Sequence, residues 1–384
     1  MDFRLNDEQR MLQDTVARLM REQYTFENRQ KFLDSEEGFS RDMWAQYAEL
    51  GLLGIGLPEQ YGGYGSAIEL MVVAEQLGRG LILEPYLATV VLGGALIELA
   101  GSEAQKEDLL GRLIGGELLL AFAHGEPQSR YSLSEVQTRA EKDGDGWTLS
   151  GDKAVVLHGD RADLLIVSAR VGGDVRDRDG IGLFLIDPKA EGVRIRGYQT
   201  IDGLRAAEIS LAGVKVAADA VLGEPGQAYP AIEKAVARGI VALCAEAVGA
   251  MEVTNEFTLD YLKTRKQFGV PIGKFQVLQH RMVDMQLELE QARSMAILAA
   301  GRLNADDEER ERTISAAKHY IGKAGRFIAE QAIQMHGGIG MTWEYAMTHY
   351  AKRLVMLDHQ LGDTEYHLER FSRLMQGAEE ETAA

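Results

Sequence analysis

A single cysteine, Cys244, in 384 residues leaves no partner for an internal disulfide and nothing to share a Cys-type zinc site or cluster, so no metal centre is expected. Such usage suits a reducing cytoplasm. Long apolar runs are also missing: no stretch reaches about eighteen uninterrupted apolar residues, the length that marks a membrane-spanning helix. The opening Met1-Asp2-Phe3-Arg4-Leu5-Asn6-Asp7-Glu8-Gln9 holds no apolar core of signal-peptide length, so the sequence reads as soluble and cytosolic, with no membrane partner. Positive charge is in deficit, 41 Lys+Arg against 59 Asp+Glu, and the net −18 argues against a nucleic-acid binder. There is no internal repeat and no low-complexity tract. What is present is ordinary for globular proteins, 46% hydrophobic and 26% charged residues, which excludes disorder and allows two or three domains around a sizeable core.

From Asn6 to Gly116 apolar residues recur at three and four residue spacings (Met11, Val16, Leu19, then Met43, Tyr47, Leu50), the period of amphipathic helices. The glycine-rich segment Gly54 to Gly65 interrupts them as an ordered loop. Between Leu118 and Gly223 the pattern changes to short β-branched runs, Trp147-Thr148-Leu149, Leu164-Leu165-Ile166-Val167, Leu183-Phe184-Leu185-Ile186 and Val193-Arg194-Ile195. Hairpin-type turns at Asp143-Gly144-Asp145-Gly146 and Asp177-Arg178-Asp179-Gly180 point to a small antiparallel sheet or barrel. Helical periodicity returns at Gln227, and the long stretches Ile232–Lys266, Phe275–Leu303 and Glu309–Met335 predict a bundle. The expected architecture is α+β: a helical domain over 1–118, a β-barrel over 119–226 and a helical bundle over 227–384.

Three segments, in this order, carry a resemblance: Leu57-Pro58-Glu59-Gln60-Tyr61-Gly62-Gly63; Arg265-Lys266-Gln267-Phe268-Gly269 followed by Phe275-Gln276 and Gln279; and Gln334-Met335-His336-Gly337-Gly338-Ile339-Gly340-Met341 ahead of Glu344-Tyr345. On chemistry alone, Arg265 before Phe-Gly at a helix end can fork onto a pyrophosphate or cap helix carbonyls. Gln334 and the paired glycines can admit a ligand to the backbone or form a helix C-cap. Together the segments resemble the acyl-CoA dehydrogenase family over essentially the whole chain. The resemblance implies a helix, barrel, bundle layout and FAD gripped across a subunit interface by Arg265, Gln267, Phe268, Gln276, Gln334, Gly337 and Gly338. It also implies α,β-dehydrogenation of an acyl-CoA, with electron-transfer flavoprotein as acceptor.

The chain departs from the family where the chemistry lies. The base, a glutamate in most members, aligns without gaps on Leu361 before Gly362, and the second group's position on the first long bundle helix aligns on Gly239. Neither can take a proton. Glu246 lies seven residues beyond Gly239, about 10 Å along a helix, too far for direct replacement. Asp363 is the best substitute base, with Glu365 beside it, against a plain reading of both as a polar helix start. His359 and His367 read as solvated. In the β domain the family's flavin-supporting loop retains only Glu126-Pro127 in Gly125-Glu126-Pro127-Gln128-Ser129-Arg130-Tyr131-Ser132, and its Trp-Ile-Thr-Asn gives way to Val155-Val156-Leu157-His158-Gly159. A basic patch for anionic CoA would draw on residues such as Arg238 and Lys234. Cys244, within an apolar helical run, reads as a core residue.

This combination resembles the smaller subunit of heteromeric acyl-CoA dehydrogenases, such as pimeloyl-CoA dehydrogenase and bacterial enzymes that shorten steroid side chains. It implies an α2β2 assembly in which a second acyl-CoA dehydrogenase-like chain carries the glutamate. The alternatives are a self-sufficient homomer with Asp363 or Glu365 as base, an oxygen-using flavin oxidase or monooxygenase on the same fold, and a non-enzymatic scaffold without flavin.

Overall fold

The computed structural model describes residues 4–383. In chain order its first helices are α1 (Asp7–Gln23), α2 (Phe26–Leu33), α3 (Arg41–Glu49) and α4 (Ala67–Gly80). A π-helical stretch, Leu87–Gly93, runs into α5 (Gly94–Ala100), and α6 (Glu103–Ile114) follows. Capping decides where several begin: at α1 the Asn6 side chain accepts from the Gln9 N–H while the Gln9 side chain accepts from the Asn6 N–H, and Ser102 and Gln105 repeat the exchange at α6. The strands are β1 (Leu120–Ala123), β2 (Arg139–Asp143), β3 (Gly146–Leu157), β4 (Leu164–Arg170), β5 (Ile181–Ile186), β6 (Val193–Gln199), β7 (Arg205–Val216) and β8 (Val221–Leu222). Then come α7 (Tyr229–Thr264), the ribbon β9 (Lys266–Gln267) and β10 (Val270–Pro271), α8 (Gln276–Arg302), α9 (Asp307–His336), α10 (Ala346–His359) and α11 (Thr364–Ala383).

Contacts divide the chain into two compact units, one of Met1–Gln30, Ala67–Ile82 and Ile240–Ala384, the other of Lys31–Ser66 and Leu83–Gly239. In the second unit the sheet runs β6-β7-β3-β2-β4-β5-β8, with β1 also on β4. Leu149, Leu165, Val167, Phe184 and Ile209 form its buried apolar core. Gly144, at φ +60°, makes the tight β2–β3 turn that the sequence predicts. The sheet is not wholly antiparallel as expected: β1 pairs parallel with β4 from Leu120↔Leu164 to Ala123↔Val167, and β2 meets β4 parallel at Arg139↔Arg170. A parallel pair needs a crossover of roughly a dozen residues, and the chain between Ala123 and Leu164 is ample.

In the first unit α4 and α7 pack backbone to backbone. A Cβ added at Gly78 would collide with the Glu246 carbonyl, and one at Gly249 with the Glu75 carbonyl, so both positions require glycine. Glu246 is thereby fixed on the packed helix. Alanines and glycines likewise let α9 lie against its neighbours, with Ala317, Gly322, Ala324, Gly325, Ala329 and Ala332 all buried.

Candidate functional site

Two of the resemblance segments lie in the first unit and meet there. At the end of α7 the Arg265 N–H donates to the Tyr261 carbonyl (2.8 Å) and the Ile272 N–H returns to the Arg265 carbonyl (2.8 Å), closing a ribbon whose turn is Phe268-Gly269. Both turn residues have positive φ, +53° and +80°. For phenylalanine that conformation costs on the order of 1 kcal/mol or more, yet the ring is 91% exposed and gains only an edge contact with Phe275. Strain without burial is a feature of sites built for contact rather than for packing.

The second segment is the end of α9. Gly337 ends the helix at φ +64°, ψ −141°, a region for glycine alone, and a Cβ on Gly337 or Gly338 would meet nothing within 4 Å. The backbone is thus open to close approach. Tyr261 of α7 stacks on His336 with centroids 4.5 Å apart, and His336 also packs on Tyr345 at 5.3 Å. Arg281 of α8 donates to Gln331 of α9 (3.1 Å), a second tie beside the first. Burial depresses the His336 pKa, against the opposing Ala332 and Phe257 carbonyls, which favours the neutral ring. Arg265, Gln267, Gln276 and Gln334 are exposed, and none of their side chains has a partner among the described residues. Unengaged forked and amide donors beside open glycine backbone fit a pyrophosphate-bearing cofactor.

The loop at the aligned base position is closed instead of open. Lys318, 2% exposed on α9, donates to the carbonyls of Leu357 (2.9 Å), Asp358 (2.9 Å) and Gly362 (2.7 Å). Burial lowers its pKa to about 8, against the favourable charges of Asp358 and Asp363. Leu361 sits at φ +56°, and its carbonyl lies 2.9 Å from His367 Nε2. A carbonyl only accepts, so Nε2 carries the proton and Nδ1 faces the Ser315 hydroxyl (3.4 Å). His367 is therefore not solvated as the sequence suggested: it is 1% exposed, and burial, with the Lys318 charge, drives its pKa to about 3. The isolated polar setting inferred from sequence overlooked that α11 lays this residue against α9. His359 is exposed.

The nearby carboxylates have other partners. Asp363 Oδ1 accepts from the Tyr366 N–H (2.8 Å), the N-cap of α11, and Asp358 Oδ1 holds the Thr364 N–H (3.0 Å) and hydroxyl (2.7 Å). Glu365 is exposed in the first turn. Glu246 is forked by Arg353, Nε to Oε1 at 2.6 Å and Nη2 to Oε2 at 2.9 Å. Gly239 is buried and bears no side chain. Neither Lys318 nor Arg353 was singled out in the sequence, although each interrupts an apolar helical stripe, Ile314-Ala317-Ile321 and Tyr350-Ala351-Leu354 respectively, which is the pattern of a paired buried cation.

In the second unit the surviving Glu126 is an internal anchor. Its carboxylate accepts from the Gln137 N–H (2.7 Å), the Thr138 N–H (3.0 Å) and Lys153 Nζ (2.7 Å). Burial opposes ionisation, but Lys153 outweighs it and holds Glu126 at about 2, while burial lowers Lys153 to about 8. Lys153 also reaches Ser168, whose hydroxyl serves His124 Nδ1 (2.9 Å). β3 bulges between Lys153 and Val156, leaving Val155, which the sequence places where the family's Trp-Ile-Thr-Asn begins, at φ +52° and 57% exposed. Arg238 is occupied by Glu98 (2.7 Å) and the Gly56 carbonyl (3.2 Å), and Lys234 is exposed. Cys244 is 1% exposed with its thiol pushed up to about 12 by burial, a core residue as expected. Among the described residues no cluster of metal-ligating side chains occurs and no helix is long and apolar enough to cross a membrane.

Along the chain the fold runs from helices through a sheet to helices. Models of the acyl-CoA dehydrogenase N-terminal, middle and C-terminal domains match residues 6–117, 121–214 and 229–376, and the chain belongs to the acyl-CoA dehydrogenase family. It is similar to the glutaryl-CoA dehydrogenase of Desulfococcus multivorans, 31% identical over 366 residues covering 91% of this chain and 92% of that protein. Among solved structures it resembles a variant of the Tcur3481-Tcur3483 steroid ACAD (29% identity, TM-score 0.86, 98% of this chain and 99% of that one). It also resembles a chain of the ChsE4-ChsE5 complex from Mycobacterium tuberculosis (25% identity, TM-score 0.87, the same two coverages).

Proposed function

We propose that this chain serves FAD-dependent α,β-dehydrogenation of an acyl-CoA thioester as the base-lacking subunit of a heteromeric, α2β2-type acyl-CoA dehydrogenase. The observation that carries the reading is the closed loop at Leu361. Lys318 and His367 bind its carbonyls, Asp363 caps α11, and Glu246 is paired with Arg353, so the carboxylates of Asp363 and Glu246 already hold structural partners. The grip residues, by contrast, are exposed and unengaged. Arg265 would fork onto the pyrophosphate, Gln267, Gln276 and Gln334 would add amide hydrogen bonds, Phe268 would cover the nucleotide, and Gly337 and Gly338 would admit it to the backbone. When bound, FAD supplies the hydride acceptor; electron-transfer flavoprotein would then take the electrons. The partner chain would contribute the carboxylate that removes the α proton. Two of the similar structures are named for two chains each, which supports a paired assembly.

The test is flavin absorbance near ~450 nm for this chain purified alone and co-expressed with an acyl-CoA dehydrogenase-like partner. Flavin in the mixed complex only is the expected result. Stoichiometric flavin on the chain alone, bleached by an acyl-CoA, would overturn the subunit reading in favour of a self-sufficient enzyme. Absence of flavin even with the partner would favour a scaffold.

A further inference from the structure

In the first unit a cavity of about 250 Å³ opens between α1, α4 and α7. It is lined by Ala17, Met20 and Arg21 of α1, Gln76 and Arg79 of α4, and Val253 of α7. α1 and α4 pack closely beside the cleft: a Cβ on Gly80 would strike the Met20 sulfur, and the Gln9 amide of α1 donates to Glu69 of α4 (2.8 Å). Gln76 is 4% exposed, yet its carboxamide has no hydrogen-bond partner among the described residues. The amide lines the cavity, so whatever fills that space serves it.

The charges narrow the occupant. Arg79 is paired with Glu252 (2.6 Å) and Glu256 (3.0 Å). Arg21, exposed at the mouth, has no acidic partner among the described residues, so it brings the uncompensated positive charge. Thr25, also at the mouth, accepts from the Asn28 N–H (3.3 Å) and keeps its own hydroxyl proton to donate. Donors therefore predominate at the polar end, and Ala17, Met20 and Val253 offer an apolar wall.

We infer that this cleft is a binding site for a short-chain organic carboxylate, its head group on Arg21 and the Gln76 amide and its hydrocarbon along Met20 and Val253. The test uses the full chain with hexanoate as the probe, followed by thermal shift and calorimetry, with hexanamide and inorganic phosphate alongside. Saturable stabilisation by hexanoate below about 10 mM is expected, at least about tenfold weaker for Gln76→Met and absent for Arg21→Ala. Arg21 is exposed, so that variant keeps the wild-type melting temperature without ligand. No saturable response, an equal response from Arg21→Ala, or a response to phosphate or hexanamide that matches hexanoate would overturn the assignment and leave solvent as the occupant. None of these readouts depends on flavin or on a partner subunit.

Discussion

The Tyr261 and His336 rings stack with centroids 4.5 Å apart and planes inclined by 29°, joining the last turn of α7 to the last turn of α9. Arg265 follows one ring by four residues, and Gly337 follows the other directly. The two parts of the proposed cofactor grip thus share one aromatic hinge. Stacked aromatic pairs contribute about 0.5–1.5 kcal/mol beyond their buried area. Tyr261→Ala in the assembled complex is expected to weaken FAD retention about tenfold or more, with α-helical content unchanged, as read by FAD titration and circular dichroism. Retention equal to wild type would show that the two segments are held independently.

Lys318 should be a stability residue. Removing its ammonium leaves three buried carbonyls without their donor, so Lys318→Met is expected to cost about 2–4 kcal/mol and to release the loop around Gly362. Urea unfolding measures the cost, and hydrogen exchange at residues 358–363 measures the release. A variant as stable as wild type would remove the argument that this loop is locked.

The buried pair in the sheet predicts a different pattern. Breaking it from one side strands a charge: Glu126→Gln should cost about 3–5 kcal/mol, whereas the double variant Glu126→Leu with Lys153→Met should recover much of that loss. Chemical denaturation of both, followed by far-ultraviolet circular dichroism, checks the comparison.

Acid should destabilise both units from near neutrality. His124 and His367 are buried neutral, each with a pKa lowered to about 3 from 6.5. The unfolded chain therefore binds their protons first as pH falls below about 6.5, and stability is lost between there and pH 3. Glu126, depressed to about 2, adds a further loss between its unfolded value near 4.5 and 2. The melting temperature should fall steadily from pH 7 to pH 4, and His124→Asn, which cannot titrate, should flatten that slope.

The helices were legible because their apolar spacing survives every local irregularity, and the Gly144 turn because only a few residues tolerate its backbone. The pairing of β1 with β4 was not legible, since a strand's side chains record which face is buried and not which neighbour lies beside it. The same limit explains His367: its environment comes from Ser315 and Lys318, about fifty residues away in sequence, brought close by α9 packing on α11. Arg265, Gln334 and the paired glycines were legible as a motif. Their aromatic hinge was not, because Tyr261 and His336 each look like an ordinary helix-end residue until the helices meet.

The most direct test of the account asks whether a carboxylate on this chain does chemistry. The rate of acyl-CoA-driven flavin bleaching is measured in the assembled complex carrying Asp363→Asn or Glu365→Gln; asparagine preserves the helix cap, so folding is not in question. The account predicts a bleaching rate within about twofold of wild type for both. Loss of bleaching by a factor of about a hundred or more in either variant would make that residue the base and contradict the division of labour between two chains.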